Sequence, residues 1–213
     1  SMRNVKVVPN KEYRGKGQLM RRAVCASAGD IVVNKAEEGP ATLDIESDSK
    51  TLNIDLPNSH VNVNKGEYES VTAWTGDNTL VIGKDVKTAK LTTTKGAVVI
   101  NGQVEELSSN EVAQVNISTA DALMTYATAL NARKYSNHNA TLVADIDMTG
   151  KEWVPMNAMG SSLLEFDGDG NIISNLTTTE YTGSYYGLFE CSTIDIKNIT
   201  VKDVVTDAAT GEP

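Results

Sequence analysis

The segment Ile173-Ser174-Asn175-Leu176-Thr177 returns 23 residues later as Ile196-Lys197-Asn198-Ile199-Thr200, a shared pattern of I-x-N-[LI]-T. A short aliphatic run that carries an asparagine and recurs after some twenty residues is what stacked coils of a right-handed β-helix produce. Aliphatic side chains fill the interior, and equivalent corners superimpose. On this reading 23 residues make one coil, and Asn175 lies above Asn198 at a corner. There the amide satisfies turn backbone that would otherwise lack a partner, and asparagine accepts the left-handed conformation that a sharp corner demands. The same residues also read as N-x-[ST] sequons, as do Asn116 and Asn139, and the corner ladder already explains two of the four.

The rest of the chain carries the same signature more loosely. Val, Ile and Thr supply 55 of 213 residues, and Asn with Gly another 34. Such a chain is mostly strand with many tight corners. From Gly29 onward the pattern predicts strands at 31–34, 42–46, 52–56, 61–63, 70–74, 80–82, 89–93, 98–100 and 103–107. Turns are expected at Pro57-Asn58, Lys65-Gly66, Gly76-Asp77-Asn78 and Lys95-Gly96. Leu52 matches Leu80, Val61 matches Ala89 and Ser70-Val71 matches Val98-Val99, each 28 residues apart. Three strands per period predict a three-sided parallel coil; an evenly spaced antiparallel sandwich is the alternative. Before Gly29 periodicity is weak, and 18–28 is expected to form a short helix.

Between the two strand-rich blocks, 117–135 breaks the pattern. Thr119 or Ser118 can cap a helix, Asp121 sits in its first turn, and Leu123, Tyr126, Ala127 and Leu130 follow at helical spacing. Arg133 and Lys134 stand where the C-terminal end of the dipole favours cations. A helix of about four turns placed there has an evident task. The open end of a coil exposes unpaired backbone and apolar core, and a helix laid across it hides both. The second block continues with strands at 141–148, 151–155 and 164–166.

Charge limits what the protein can meet. The net charge is −9, which argues against nucleic acid as a partner, because affinity there comes from Lys and Arg replacing counterions. The total hides a leader at +6 (1–29), a middle at −4 (30–100) and a second half at −11 (101–213). No apolar run approaches the ~20 residues that span a bilayer. Ser1-Met2 reads as a cloning remnant, with a native export signal expected ahead of it. Cys25 and Cys191 have no metal-type spacing and read as two unlinked small apolar side chains, one bridge between them being the alternative. His60 and His138 each stand alone, so no histidine metal site is expected, and no cofactor is implied.

Residues 117–205 resemble the pectate-lyase-like β-helix surface proteins of Bacteroidetes, the group with GLUG-motif repeats. The matching residues are the helix at 121–130, then Leu142-Val143-Ala144-Asp145-Ile146-Asp147-Met148 and Trp153-Val154-Pro155. They continue with Phe166-Asp167-Gly168-Asp169-Gly170-Asn171-Ile172-Ile173-Ser174-Asn175-Leu176, Gly187-Leu188-Phe189 and Ile196-Lys197-Asn198-Ile199-Thr200-Val201. One departure stands out: after Gly187-Leu188-Phe189 the expected Gly is Glu190, followed by Cys191. The stretch 29–107 is similar, more loosely, to the strand-rich region that precedes such helices, through Leu56-Pro57, Gly66, Asn78-Thr79-Leu80 and Gly102. The expected fold is therefore all-β: a right-handed parallel β-helix with one capping α-helix and a solenoid-like N-terminal block. The expected organisation is a basic leader at 1–29, a strand-rich block at 30–116 and a helix-capped β-helix at 117–213. With eight residues after Val205, the β-helix is expected to be short or cut, its open edge covered by further sequence or by self-association with another copy.

The resemblance implies an exported cell-surface address, with an adhesin-like role, more firmly than a reaction. A polysaccharide lyase or hydrolase on this scaffold is the competing reading, with Asp145, Asp147, Glu165, Asp167, Asp169 and Asp195 as acidic candidates. Lys151, Lys197 and Lys202 are the nearby cations, and no Arg follows Arg133 to neutralise an acidic sugar. Asp145 and Asp147 alternate with Ile146 and Met148, as outward residues on a strand do. Asp167-Gly168-Asp169-Gly170-Asn171 evokes a calcium loop, yet an EF-hand needs Gly where Ile172 stands and Glu where Thr178 stands, so a tight Gly-rich turn is expected. The binding candidates are aromatic. Of eleven aromatics, Tyr181, Tyr185 and Tyr186 fall within six residues, on a loop (179–187) expected to project from the coil. There they stack on sugar rings or host surface proteins, or else pad the loop against its own coil. A stalk that only carries another domain is the third reading.

Overall fold

The computed structural model describes residues 3–7, 19–24, 30–35, 41–55, 59–73, 79–183 and 185–206. These are mostly β-strand, with one helix and parallel ladders. The chain divides into two compact units, Ser1–Val115 and Asn116–Pro213. Cys25 and the turns expected at 57–58 and 76–78 lie outside the described residues.

The first unit holds β1 (Arg3–Val7), β2 (Leu19–Val24), β3 (Asp30–Lys35), β4 (Ala41–Glu46), β5 (Thr51–Asp55), β6 (His60–Ala73), β7 (Thr79–Thr93), β8 (Ala97–Ile100), β9 (Gln103–Val104), β10 (Leu107–Ser109) and the start of β11 (Ala113–Ile117). Two ladders run through it. In one, Leu43 pairs with Val61, Val61 with Leu80 and Leu80 with Val98. In the other, Leu52 pairs with Val71, Val71 with Leu91 and Leu91 with Leu107. Alternate positions of both ladders are buried (Leu43 and Ile45, Val61 and Val63, Leu80 and Ile82, Leu52 and Ile54), so each strand shows the period of two that a one-sided core imposes.

These registers correct the expected period. Leu52 meets Val71, 19 residues on, and Leu80 lies a further nine residues along, in the opposite ladder. A shift of 28 thus carries a residue from one ladder into the other and joins no paired positions. It looked like a repeat because both ladders carry the same aliphatic alternation. The expected turn at Lys65-Gly66 is also absent. β6 runs straight through it, with Gly66 at φ +135° and the register slipping between Val63 and Lys65. The helix expected at 18–28 is instead β2, which pairs with β4 from Leu19↔Ala41 to Val24↔Glu46, while β1 pairs with β3. Leu, Met, Arg and Ala are good helix formers, but a free parallel edge outweighs so weak a local preference. The basic opening therefore contributes two strands to the sheet.

The second unit opens with α1 (Ala120–Asn131), about three turns and shorter than expected. It is followed by β12 (His138–Leu142), β13 (Ile146–Asp147), β14 (Met156–Asn157), β15 (Leu163–Asp167), β16 (Ile172–Ser174), β17 (Thr177–Thr178), β18 (Phe189–Cys191), β19 (Asp195–Lys197), β20 (Thr200–Lys202) and β21 (Val205–Thr206). The strand expected at 141–148 is interrupted at 143–145. The ladders are β12–β15–β19, β13–β16–β20, β14–β18 and β17–β21, all parallel. Ile173 pairs with Ile146 on one side and Val201 on the other, and Phe166 pairs with Ile196.

Here too the period differs from the sequence repeat. Ser174 pairs with Lys202, 28 residues on, so Asn175 faces Asp203 and not Asn198. Asn198 stands one corner earlier, next to Gly168, whose N–H donates to the Lys197 carbonyl at 2.8 Å. The I-x-N-[LI]-T repeat therefore marks strand ends in two different ladders, β13–β16–β20 and β12–β15–β19, five residues short of the 28-residue spacing of positions paired between β16 and β20. Both asparagines are left-handed as expected, at φ 57° and 54°, but their amides bond aspartate side chains 28 and 31 residues earlier and not turn backbone. The Asn175 amide donates to Asp147 at 2.8 Å, and that of Asn198 to Asp167 at 3.0 Å. The segment 167–171 is a tight turn, with the Asp169 N–H on Asp167 Oδ1 and the Asn171 N–H on the Gly168 carbonyl, both at 2.8 Å.

Candidate functional site

The helix shows how the second unit is braced. The Thr119 hydroxyl accepts from the Ala122 N–H at 3.1 Å, and Leu123, Tyr126, Ala127 and Leu130 are buried, as their spacing predicts. At the far end Arg133 is left-handed (φ 57°), and the Arg133 and Lys134 N–H groups close back on the Leu130 and Ala129 carbonyls. The helix then ties itself to β14. The Asn131 amide donates to the Pro155 carbonyl at 3.1 Å and accepts from the Asn157 N–H at 2.8 Å, replacing the two bonds a neighbouring strand would make. The Arg133 guanidinium forks onto the Asn157 and Met159 carbonyls at 2.6 and 2.7 Å and onto Asn157 Oδ1 at 3.1 Å. At the helix start, Lys151 pairs with Asp121 at 2.6 Å.

Behind α1 lies a buried aromatic cluster. Tyr126, Tyr135 and His138 meet edge to face, with centroids 5.2 to 5.7 Å apart. His138 Nδ1 lies 2.8 Å from the Ser136 carbonyl, which can only accept, so Nδ1 carries the proton. Nε2 is then free to accept from the Tyr126 hydroxyl at 2.9 Å. Burial holds this imidazole neutral, with a pKa lowered to about 4. The sequence shows His138 as a lone histidine; the structure makes it a hydrogen-bonded part of the core.

Four of the six acidic candidates, Asp145, Asp147, Glu165 and Asp167, are held by neighbouring groups. Asp147 accepts from Asn175 and from the Thr149 hydroxyl and N–H, and these bonds hold its carboxyl down at about 2. Asp167 is lowered chiefly by the Asp169 N–H and then by the Asn198 amide. Asp145 accepts from the Ile172 N–H at 2.9 Å, and Asp169 is a left-handed corner residue (φ 49°). Glu165 faces Asp195 across the ladder and pairs with Lys197 at 3.0 Å. An acid catalyst working at neutral pH needs a carboxyl pKa raised by its surroundings, and Asp147 and Asp167 are shifted the other way. Ile146 and Met148 are buried between exposed Asp145 and Asp147, as the alternation predicts. Among the described residues no three His, Cys, Asp or Glu side chains are grouped to hold a metal ion, and Cys191 is a half-buried free thiol.

The three tyrosines belong to the segment between β17 and β18, which is pinned at both ends. At its start the Glu152 carboxylate accepts from the Glu180 N–H at 2.6 Å and from the Thr179 hydroxyl at 3.1 Å. At its end the Gly187 carbonyl accepts from the indole of fully buried Trp153 at 3.1 Å, and the Leu188 carbonyl from the Met156 N–H at 3.0 Å. Between these anchors the Tyr181 ring lies directly over Gly183, where a β-carbon would overlap it. The Tyr186 ring meets Tyr181 at 89° with centroids 5.9 Å apart. Tyr185 and Tyr186 are 64% and 41% exposed, whereas Tyr181 is half-buried.

Two partners of this group escape sequence reasoning. Tyr181 stands beside the Glu190 carboxylate, which after burial raises the phenol's pKa, and that carboxylate accepts from the Asn157 amide at 3.4 Å. Asn157 is the residue that Arg133 grips, so the helix end, β14, Glu190 and the tyrosines form one connected patch. Only the departure of Glu190 from the expected glycine signalled it. No helix among the described residues is long and apolar enough to cross a membrane. No family model, no curated protein and no solved structure matches the chain.

Proposed function

We propose that the second unit is a helix-capped right-handed β-helix and the first a β-solenoid, of the kind found in pectate-lyase-like, GLUG-bearing surface proteins. On this reading the protein is a non-enzymatic, exported cell-surface module that binds glycans or partner surface proteins through Tyr181, Tyr185 and Tyr186. Successive parallel ladders of matching register support the first statement, and so does α1, whose Asn131 and Arg133 cover the edge of β14 as a cap would.

The observation that carries the second is the tyrosine loop. Large aromatic faces left in water on a segment fixed at both ends lose little entropy when a ligand stacks on them. Four of the six carboxylates that would serve a lyase or hydrolase, Asp145, Asp147, Glu165 and Asp167, are bound to backbone or to Asn175, Asn198 and Lys197, which favours binding over cleavage. Tyr185→Ala combined with Tyr186→Ala is expected to abolish binding on a glycan and mucin array, with the circular dichroism unchanged. A wild-type chain silent on such arrays removes the proposal. So does a double variant that binds as well as the parent.

A further inference from the structure

The geometry points to an uncharged pyranose, offering vicinal hydroxyls, as the ligand class of the Tyr181–Tyr186–Glu190 patch, with Glu190 as the residue that selects against uronic acids. This rests on the reading of the tyrosine loop as the binding surface.

Three features of the patch define the chemistry. The first is shape. Tyr181 and Tyr186 stand perpendicular, so their rings form a corner and not a flat stack. Tyr181 is the fixed wall, with Gly183 beneath its ring and the Glu190 carboxylate beside it. Tyr186, with Tyr185 beside it in the chain, offers apolar surface to solvent. Such a corner takes the C–H face of one sugar ring on Tyr186 while the ring edge turns toward the carboxylate.

The second is acceptor capacity. A carboxylate has about four lone-pair positions. Among the described residues the Asn157 amide donates to Glu190, at 3.4 Å. Positions are left for a ligand, and two adjacent hydroxyls are a donor pair that fills two of them with charge-assisted bonds.

The third is charge. Residues 179–191 carry Glu180 and Glu190 and no Lys or Arg, and the second half of the chain is strongly acidic. The faces of the tyrosine rings are themselves electron-rich. A uronate entering this corner meets negative charge with no cation to compensate it. The cation that is near, Arg133, is turned onto the Asn157 and Met159 carbonyls, where it orients Asn157 and, through it, Glu190. Asn157 is thus a positioning residue for the carboxylate.

The test uses the full chain with cellotriose, mannotriose, galactotriose and trigalacturonate, titrated calorimetrically, together with tetramethylammonium. Wild type is expected to bind at least one neutral trisaccharide and to leave trigalacturonate unbound. Glu190→Gln keeps the side chain's size and an acceptor for Asn157 but removes the charge. It is expected to weaken the neutral sugar about tenfold and to narrow the gap to trigalacturonate. Circular dichroism of both variants checks folding. If Tyr186→Ala abolishes sugar binding while Glu190→Gln leaves affinity and selectivity unchanged, the tyrosine reading stands and this inference falls. A wild type that prefers trigalacturonate or tetramethylammonium overturns the inference alone, and one that binds none of the probes overturns both.

Discussion

Gly168→Ala is expected to destabilise the second unit by about 3 kcal/mol, among the largest losses a single methyl group can cause. A β-carbon at Gly168 would overlap the Asn198 carbonyl oxygen and Ile199 Cα, both main-chain atoms just beyond the paired strand β19. Neither can swing aside as a side-chain tip does. Relief requires lifting the corner at 197–199 off the corner at 167–169, which also strains the Asn198–Asp167 bond at 3.0 Å and the Gly168–Lys197 bond at 2.8 Å. Gly170, two residues away, is the matched comparison. It is left-handed at φ +77° with open space around its Cα, so Gly170→Ala carries only the backbone penalty of about 1 kcal/mol. Urea unfolding followed by fluorescence of buried Trp153 ranks the two variants. Equal losses, or a milder loss at 168, would contradict close stacking of these corners.

The second large effect is acid lability. His138 titrates at about 4 when folded and near 6.5 when unfolded. Between those values the unfolded chain holds a proton that the folded chain does not, so lowering the pH favours unfolding. The stability from keeping this imidazole neutral is complete above 6.5 and is lost as pH falls toward 4, amounting to about 3 kcal/mol over the window. Protonation would also strip Tyr126 of its acceptor. The Asp147 carboxyl, held at about 2, adds its own loss only at lower pH, between its ordinary value of 3.8 and 2. His138→Gln gives Tyr126 another acceptor without a titrating group. Its urea midpoints at pH 7 and 4.5 should therefore lie much closer together than those of the parent. Parallel pH profiles for parent and variant would sink the assignment.

How much of this was legible in the sequence depends on how local each feature is. The Thr119 cap, the buried face of α1, the alternation around Asp145–Met148 and the left-handed asparagines are decided within a few residues, and each stands in the structure as read. The spacing of paired strands is not local. It is set by which strand a strand pairs with, and strands with the same alternation are interchangeable on paper. Hence an apparent 28 in the first unit against 19 between Leu52 and Val71, and an apparent 23 in the second against 28 between Ser174 and Lys202. Leu19–Val24 was misread for the same reason, since its strand depends on an edge supplied by β4. The tyrosines were visible as a cluster in sequence. The perpendicular rings fix ring orientation, and the Asn157–Glu190 and Arg133–Asn157 bonds join residues 33 and 24 positions apart; no spacing rule reports either.

The central functional claim is that the exposed tyrosine corner, and no other tyrosine of the described chain, receives the ligand. Tyr68, Tyr126 and Tyr135 are buried, which gives internal controls. Ring resonances of a 13C-tyrosine-labelled chain, followed during titration with a neutral trisaccharide, make the most direct measurement. The account predicts saturable shifts at Tyr185 and Tyr186, a smaller one at Tyr181, and none at the three buried rings. Unmoved Tyr185 and Tyr186 signals at millimolar sugar, or shifts confined to the buried rings, would contradict it.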